Sequence, residues 1–188
     1  MVGLRSLRKL VHVAGVLFVP IALYDQYIAL ALAVLVTLVF IVFERQKRRM
    51  MPRFFRLIYR DHELSTVAYE PLAYLLSIVV LLALSLAFSP AACYVAIVVM
   101  TVGDGVAAMA GPRLRGPRWP GSMKTLAGSF AGIVVAAAIG CLIAAPAMAI
   151  AGALGGMVTE AFAGRYDNAL TAAAALVCAA AALMFLHL

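Results

Sequence analysis

Every Lys and Arg of this chain falls in alternate connections between apolar runs, and that pattern constrains the fold more than any other feature. Seven runs are apolar enough to be considered as spans: about Leu10–Leu23, Tyr27–Phe43, Leu72–Phe88, Ala91–Val102, Thr125–Ala145, Ala147–Ala163 and Ala169–Leu186. A helix needs about 20 such residues, rising about 1.5 Å each, to cross a bilayer. The first run is short and interrupted by Pro20. The fourth is too short alone but can continue through Gly103-Asp104 to Ala110. With the N-terminus inside, the inner segments are Met1–Lys9, Glu44–Glu70, Asp104–Lys124 and Gly164–Asn168. They carry three, seven, four and one basic residues, which are all 15 in the chain. The outer connections hold only Asp25, Pro90, Pro146 and the end at His187-Leu188. Basic residues are retained on the cytoplasmic side of a membrane. The expected fold is therefore all-α: a polytopic integral membrane protein of about seven transmembrane helices, N-terminus cytoplasmic, with residues 1–188 as a single transmembrane domain. All Lys and Arg side chains should lie on one half of the molecule.

Composition agrees. With 66% hydrophobic and 12% charged residues, a 188-residue soluble domain would leave much apolar surface wet, which excludes a soluble globular enzyme. The first run lacks a small-residue cleavage site and is expected to be a span rather than a cleaved leader. Cys93, Cys141 and Cys178 each sit in an apolar run without CxxC spacing and are expected to be buried, reduced packing residues. His12, His62 and His187 are scattered and suggest no zinc or haem site. The middles of the spans are nearly free of ionisable groups. A transporter or channel usually needs polar groups near mid-membrane and openings on both faces. A site at the cytoplasmic surface, reaching a lipid headgroup and a soluble anion, fits the pattern better.

Four short segments meet at that face. Arg5, Arg8 and His12 share one helix face, with Lys9 beside them; they could hold phosphate or act as headgroup anchors. Gly103-Asp104-Gly105 places an acid at a membrane boundary, where it needs water, a cation or a partner. Small residues at Ala107, Ala108 and Gly111 permit close approach, and a simple helix-ending turn is the plainer alternative. The segment Gly116–Thr125 gathers Arg118 and Lys124 near Arg113 and Arg115, a positive funnel for a polyphosphate. Its glycine spacing resembles a P-loop, but Lys124 comes two residues late and no strand precedes it. Lys124 at the start of the fifth helix adds charge to a helix N-terminus, a natural anion site. Gly128 and Gly132 have GxxxG spacing and read as helix packing. Finally, Glu160 and Asp167-Asn168 bring further acids to the same face, where with Asp104 they suit Mg²⁺ carrying a nucleotide; a plain pair of Glu160 with Arg165 or a nearby lysine is the alternative. Between the second and third runs, Glu44–Arg60 interleaves Arg with Met, Phe, Leu and Ile, as an amphipathic segment on anionic headgroups does; no nucleic-acid partner is expected.

Taken in order, these segments resemble the CTP-dependent lipid kinases: dolichol kinases, phytol and farnesol kinases, and fungal-type diacylglycerol kinases. The resemblance runs over about Arg8–Thr171. Arg8-Lys9-Leu10-Val11-His12 is similar to the family's R-K-x-x-H opening. Gly103-Asp104, Ala107 and Gly111 fit G-D-x-x-A-x-x-x-G. Lys124-Thr125-Leu126-Ala127-Gly128-Ser129 resembles K-[ST]-x-[EA]-G-[ST], and Glu160 with Asp167-Asn168 resembles the closing acid and D-N pair. Ala127, where dolichol kinases typically carry Glu, and Tyr69-Glu70-Pro71-Leu72-Ala73-Tyr74 are closer to the phytol kinase branch.

The resemblance implies transfer of the γ-phosphoryl group of CTP, with Mg²⁺, to the hydroxyl of a membrane lipid alcohol such as a polyprenol, dolichol or phytol-like isoprenoid, at a site facing the cytoplasm. It implies catalytic roles for Asp104, Lys124 and Glu160, and metal ligation by Asp104, Glu160 and Asp167. Nucleotide contacts fall to Arg8, Lys9, His12, Gly103, Gly111, Lys124, Thr125, Gly128, Ser129 and Asn168. Asp104 serves a metal ion or acts as base toward the acceptor. The alternatives are a CTP-dependent diacylglycerol kinase, a CDP-lipid cytidylyltransferase, and a non-enzymatic membrane subunit or transporter.

Overall fold

The computed structural model describes residues 12–46, 68–114 and 116–186. Among the described residues there are seven helices and no strand: α1 (His12–Tyr24), α2 (Gln26–Gln46), α3 (Tyr69–Ser85), α4 (Pro90–Leu114), α5 (Leu126–Gly140), α6 (Pro146–Phe162) and α7 (Asp167–Leu186). All seven apolar runs thus return as helices. Three of them, α2, α4 and α7, are long and apolar enough to cross a membrane, and the other four are shorter apolar helices.

Local chemistry sets the helix ends. Asp25 closes α1, and its Oδ1 accepts from the Tyr27 and Ile28 amides at 2.8 and 3.0 Å, which starts α2. Ser89 caps α4 through the Ala92 amide, with Pro90 as the first helical residue. Proline at that position lacks only an amide the helix would leave unpaired. Pro146 starts α6 in the same way. The Thr125 hydroxyl accepts from the Gly128 amide and starts α5. At its far end α2 runs beyond the expected Phe43 to Gln46, taking Glu44 and Arg45 into the helix. There Glu44 Oε1 accepts from the Ala68 amide at 3.0 Å, tying the end of α2 to the entry of α3.

Helix α4 is the central post. Every residue from Ala92 to Gly103 is buried. Around it pack α1, α3, α5, α6 and α7, while α2 lies outside against α1 and α3 and turns Tyr27, Leu35, Leu38 and Val42 outward. Gly103-Asp104 does not end the fourth helix. The chain passes through a widened π turn at Val99–Gly103 and continues to Leu114. Such turns shift the phase of a helix, often beside a functional residue; here it is Asp104 that follows.

Small residues carry the helix contacts. A Cβ on Gly128 would meet the Ala107 carbonyl at 2.9 Å and Gly111 Cα at 3.0 Å, and one on Gly132 would meet the Gly103 carbonyl at 2.6 Å. The GxxxG pair therefore marks the crossing of α4 and α5, as its spacing predicts. Gly152, Gly155 and Gly156 of α6 face Ala175, Cys178 and Ala179 of α7 in the same manner. Close backbone approach of this kind drives helix association where the surroundings are themselves apolar.

The starts of α1, α3, α5 and α7 and the ends of α2, α4 and α6 share one end of the bundle. Arg45, Arg113, Arg118 and Lys124 belong to segments at that end. The other basic segments expected there, including Arg5, Arg8, Lys9, Arg115 and the remainder of the Glu44–Arg60 run, lie outside the described residues. Elsewhere the buried hydroxyls mostly bond within their own helices: Thr37 to the Ala33 carbonyl, Ser85 to Leu82 and Thr101 to Ile97, each at 2.7 Å. One sequence expectation is corrected. Cys93 is buried, but Cys178 is only half-buried on α7 and Cys141 is exposed, because it lies just past the end of α5 in the turn toward α6.

Candidate functional site

At the polar end a chain of ionisable groups crosses the bundle. His12, at the start of α1, places Nε2 3.3 Å from Asp104 Oδ2 and 3.1 Å from the Met100 carbonyl. The carbonyl can only accept, so the ring carries its proton on Nε2 and shares it between the two oxygens. Lys124, just before α5, places Nζ 3.7 Å from Asp104 Oδ1 and bonds directly to Glu160 Oε1 on α6. One ammonium group therefore bridges acids on two helices. Glu160 needs this partner: its side chain is 1% exposed, and an unpaired carboxylate there would lose several kcal/mol of solvation. Its second oxygen, Oε2, has no hydrogen-bond partner among the described residues.

The entry of α7 adds Asp167, within electrostatic reach of Asp104, Lys124 and Glu70. Asp167 Oδ1 accepts from the Asn168 amide at 2.9 Å, and Asn168 Nδ2 lies 3.5 Å from the Glu70 carbonyl of α3. Asp104, Lys124 and Asp167, drawn from three segments far apart in sequence, thus meet at one place, as their distribution predicts.

The connection between α4 and α5 is built as a short hairpin. Arg118 and Thr125 form an antiparallel bridge, the Trp119 amide donates to the Lys124 carbonyl at 3.0 Å, and Gly121 turns the chain at φ 71°. That left-handed conformation favours glycine. The hairpin is pinned to the bundle by Trp119 Nε1, which donates to Ser129 Oγ at 3.0 Å, and by a T-shaped contact of the indole with Phe162. Ser122 Oγ donates to the Ala161 carbonyl at 2.6 Å. These contacts hold Lys124 over α6 and make its position a property of the fold rather than of a loose loop.

Beside Lys124 and Glu160 lies a cavity of about 270 Å³. Ala107, Ala108, Gly111 and Pro112 of α4 form one wall, Gly128 and Ser129 of α5 another, and Arg118, Met123 and Thr125 complete it. Its lining divides between small apolar residues of α4 and polar groups, namely two cations, one acid and the Thr125 and Ser129 hydroxyls. A ligand with an anionic head and an apolar portion matches that division.

The sequence-expected site residues sort as follows. Gly111, Lys124, Thr125, Gly128, Ser129 and Glu160 line the cavity. Asp104 and His12 reach it through Lys124. Asp167 and Asn168, at the entry of α7, are outside the lining; Asp167 is within electrostatic reach of Asp104 and Lys124. Thr125, Gly128 and Ser129 also hold structural partners, as helix cap, helix crossing and indole acceptor respectively. Gly103 is outside the lining, buried where a Cβ would meet Met157 Sδ at 2.8 Å. Arg8 and Lys9 lie outside the described residues. The three acids assigned to a metal are not one set: Glu160 is taken up by Lys124, and no group of three or more His, Cys, Asp or Glu among the described residues is placed to hold a metal ion.

Two residues were not foreseen. Tyr74 donates its hydroxyl to the His12 carbonyl and lays its ring against the imidazole, centroids 4.2 Å apart. It lies on the buried stripe of α3 with Ile78, Leu81, Leu82 and Ser85, so the i, i+4, i+7, i+8 pattern carries the signal. Trp119, the chain's one tryptophan, fixes the hairpin. Comparison with known protein families, with curated proteins and with solved structures gives no match.

Proposed function

We propose that this chain is an integral membrane enzyme that transfers the γ-phosphoryl group of CTP to the hydroxyl of a membrane lipid alcohol, of isoprenoid type, at a cytoplasmic site. The observation that carries the reading is Lys124 held between Asp104 and Glu160 beside a half-apolar cavity, at the end of a largely apolar helical bundle where Arg45, Arg113 and Arg118 also lie. The membrane setting draws on the three helices long and apolar enough to span, and orientation follows from the one-sided distribution of basic residues.

Phosphoryl transfer needs positioning and charge neutralisation more than covalent chemistry. Lys124 and Arg118 supply positive charge to the phosphates at the cavity's polar end. His12 fixes Asp104 through Oδ2, and the Met100 carbonyl fixes His12. The apolar wall of α4 accepts the chain of the alcohol next to its hydroxyl. Mg²⁺ is held in such enzymes by one or two carboxylates plus substrate phosphates. Asp104 with Asp167 suits that requirement, being two hard oxygen donors within electrostatic reach of each other. When bound, Mg²⁺ neutralises charge on the transferring phosphate.

The test is purified protein with labelled CTP or ATP, Mg²⁺ and a panel of polyprenol, phytol-like and diacylglycerol acceptors. Transfer to an isoprenoid alcohol with release of CDP supports the reading, and preference for diacylglycerol redirects it. Release of pyrophosphate from a lipid phosphate identifies a cytidylyltransferase. No nucleotide turnover with any acceptor leaves a membrane subunit or transporter.

A further inference from the structure

The acid–base chain contains one asymmetry that the phosphoryl-transfer reading alone does not use. Asp104 has both carboxylate oxygens engaged, Oδ2 by His12 and Oδ1 by Lys124. Glu160 has only one engaged: Oε1 bonds to Lys124, while Oε2 is buried and has no partner among the described residues. Buried acceptors left without a donor are rare in folded proteins, because each loses its hydration with no return. Glu160 is also a lining residue of the cavity whose other charged groups, Lys124 and Arg118, suit phosphate. Glu160 lines the cavity that Ala107, Ala108 and Gly111 also line, so a ligand held there can supply the missing donor.

We propose that Glu160 Oε2 holds the acceptor hydroxyl and is the base for its activation. This rests on the phosphoryl-transfer reading above and assigns its proton acceptor. In the step, the alcohol O–H bond breaks and its proton passes to Glu160 Oε2. The alcohol oxygen forms a bond to the γ-phosphorus, and the bond from that phosphorus to the β–γ bridging oxygen breaks, leaving CDP. Lys124 stays on Oε1 throughout, which fixes the carboxyl group's orientation while Oε2 faces the hydroxyl. Asp104 accepts from both His12 and Lys124 and is left to orient Lys124; the second lone pairs of its oxygens remain to meet Mg²⁺ with Asp167.

The experiment uses full-length protein in lipid nanodiscs, as wild type, Glu160→Gln and Glu160→Asp, with Mg²⁺–CTP and the best acceptor of the panel. Two quantities are read: thermal protection by Mg²⁺–CTP without acceptor, and kcat for transfer across pH. Glu160→Gln is expected to keep the protection and lose about 10²- to 10⁴-fold in kcat, the usual contribution of a positioned base. Glu160→Asp, which keeps the charge beside Lys124 but withdraws it by one methylene, is expected to lose at least about tenfold in kcat with the protection intact; it serves alone if Glu160→Gln does not fold. Wild-type turnover by either folded variant overturns the assignment and leaves the kinase reading standing. Absence of both transfer and nucleotide protection in the wild type overturns the reading itself, and the assignment with it.

Discussion

Asp104 Oδ1 and Lys124 Nζ face each other at 3.7 Å across the junction of α4 and the α4–α5 hairpin, and the same ammonium group bonds to Glu160 on α6. The site is therefore part of what closes the polar end of the bundle, and its variants should separate stability from chemistry in a definite order.

Lys124→Met leaves Glu160 buried without its counter-charge. Breaking a fully buried pair costs about 3–5 kcal/mol; with Lys124 at 37% side-chain exposure the loss should be smaller, about 1–3 kcal/mol. The double variant Lys124→Met, Glu160→Gln should regain much of that stability and none of the activity. Thermal unfolding of the four proteins of the cycle gives the coupling directly. A double variant no more stable than Lys124→Met would mean that the pair does not hold the hairpin.

Asp104→Asn keeps the size of the side chain and one acceptor for His12, while its amide NH₂ turns the more distant Lys124 away toward Glu160. The variant should remain folded and extractable while phosphoryl transfer falls by at least about 10²-fold, the scale of losing one positioned charged group in a site. Wild-type turnover would remove Asp104 from the machinery. Because Glu160 still neutralises Lys124, the loss of stability should be below that of Lys124→Met.

Mg²⁺–CTP should raise the unfolding temperature of the wild type. A ligand at a hundredfold excess over its Kd adds about 2.7 kcal/mol to the native state. Protection that persists in Asp104→Asn and Asp167→Asn alike would exclude these two carboxylates as the Mg²⁺ pair.

Much of this arrangement was legible in the residues, for identifiable reasons. The apolar runs and the one-sided placement of basic residues report on solvation, which acts on each segment separately, so seven helices and the gathering of Asp104, Lys124 and Asp167 at one end follow from sequence. Gly128 and Gly132 were legible because only a close crossing makes glycine useful twice on one helix face. What was not legible depends on how helices turn relative to one another. The continuation of the fourth helix through Gly103-Asp104 was legible, but the widened turn at Val99–Gly103, with His12 on the Met100 carbonyl, was not. The partnership of Tyr74 with His12 spans 62 residues and two helices. The divided roles of the two Glu160 oxygens exist only once Lys124 has been placed.

Packing at the α4–α5 crossing yields a contrast between two glycines. Gly132→Val adds bulk where even a Cβ would lie 2.6 Å from the Gly103 carbonyl and 2.8 Å from Met157 Cε. Overpacking of this kind costs about 1–3 kcal/mol, and here it also forces apart the helices that carry Asp104 and Lys124, so activity should fall with stability. Gly116→Ala meets only Ala127 Cβ, at an ordinary 3.5 Å, and should be neutral in both. Equal unfolding temperatures for the two variants would contradict the close approach of α4 and α5.

Cys141 offers the last prediction, on orientation. It is exposed just past the end of α5, at the end of the bundle opposite Lys124, whereas Cys93 is fully buried in α4. If the charged end faces the cytoplasm, Cys141 lies at the outer boundary and a membrane-impermeant maleimide applied to intact cells should label it. Labelling should vanish in Cys141→Ser, since Cys178 lies within the span of α7, against α6 at Gly155. Thiolate character limits the rate, so labelling is best followed at mildly alkaline pH. The complementary probe is a cysteine replacing Gly116 in the hairpin, in a Cys141→Ser background, which should react only after the cells are opened. Reaction of Cys141 only in opened cells, with the Gly116 position reactive from outside, would invert the topology and move the proposed CTP site away from its cytoplasmic substrate.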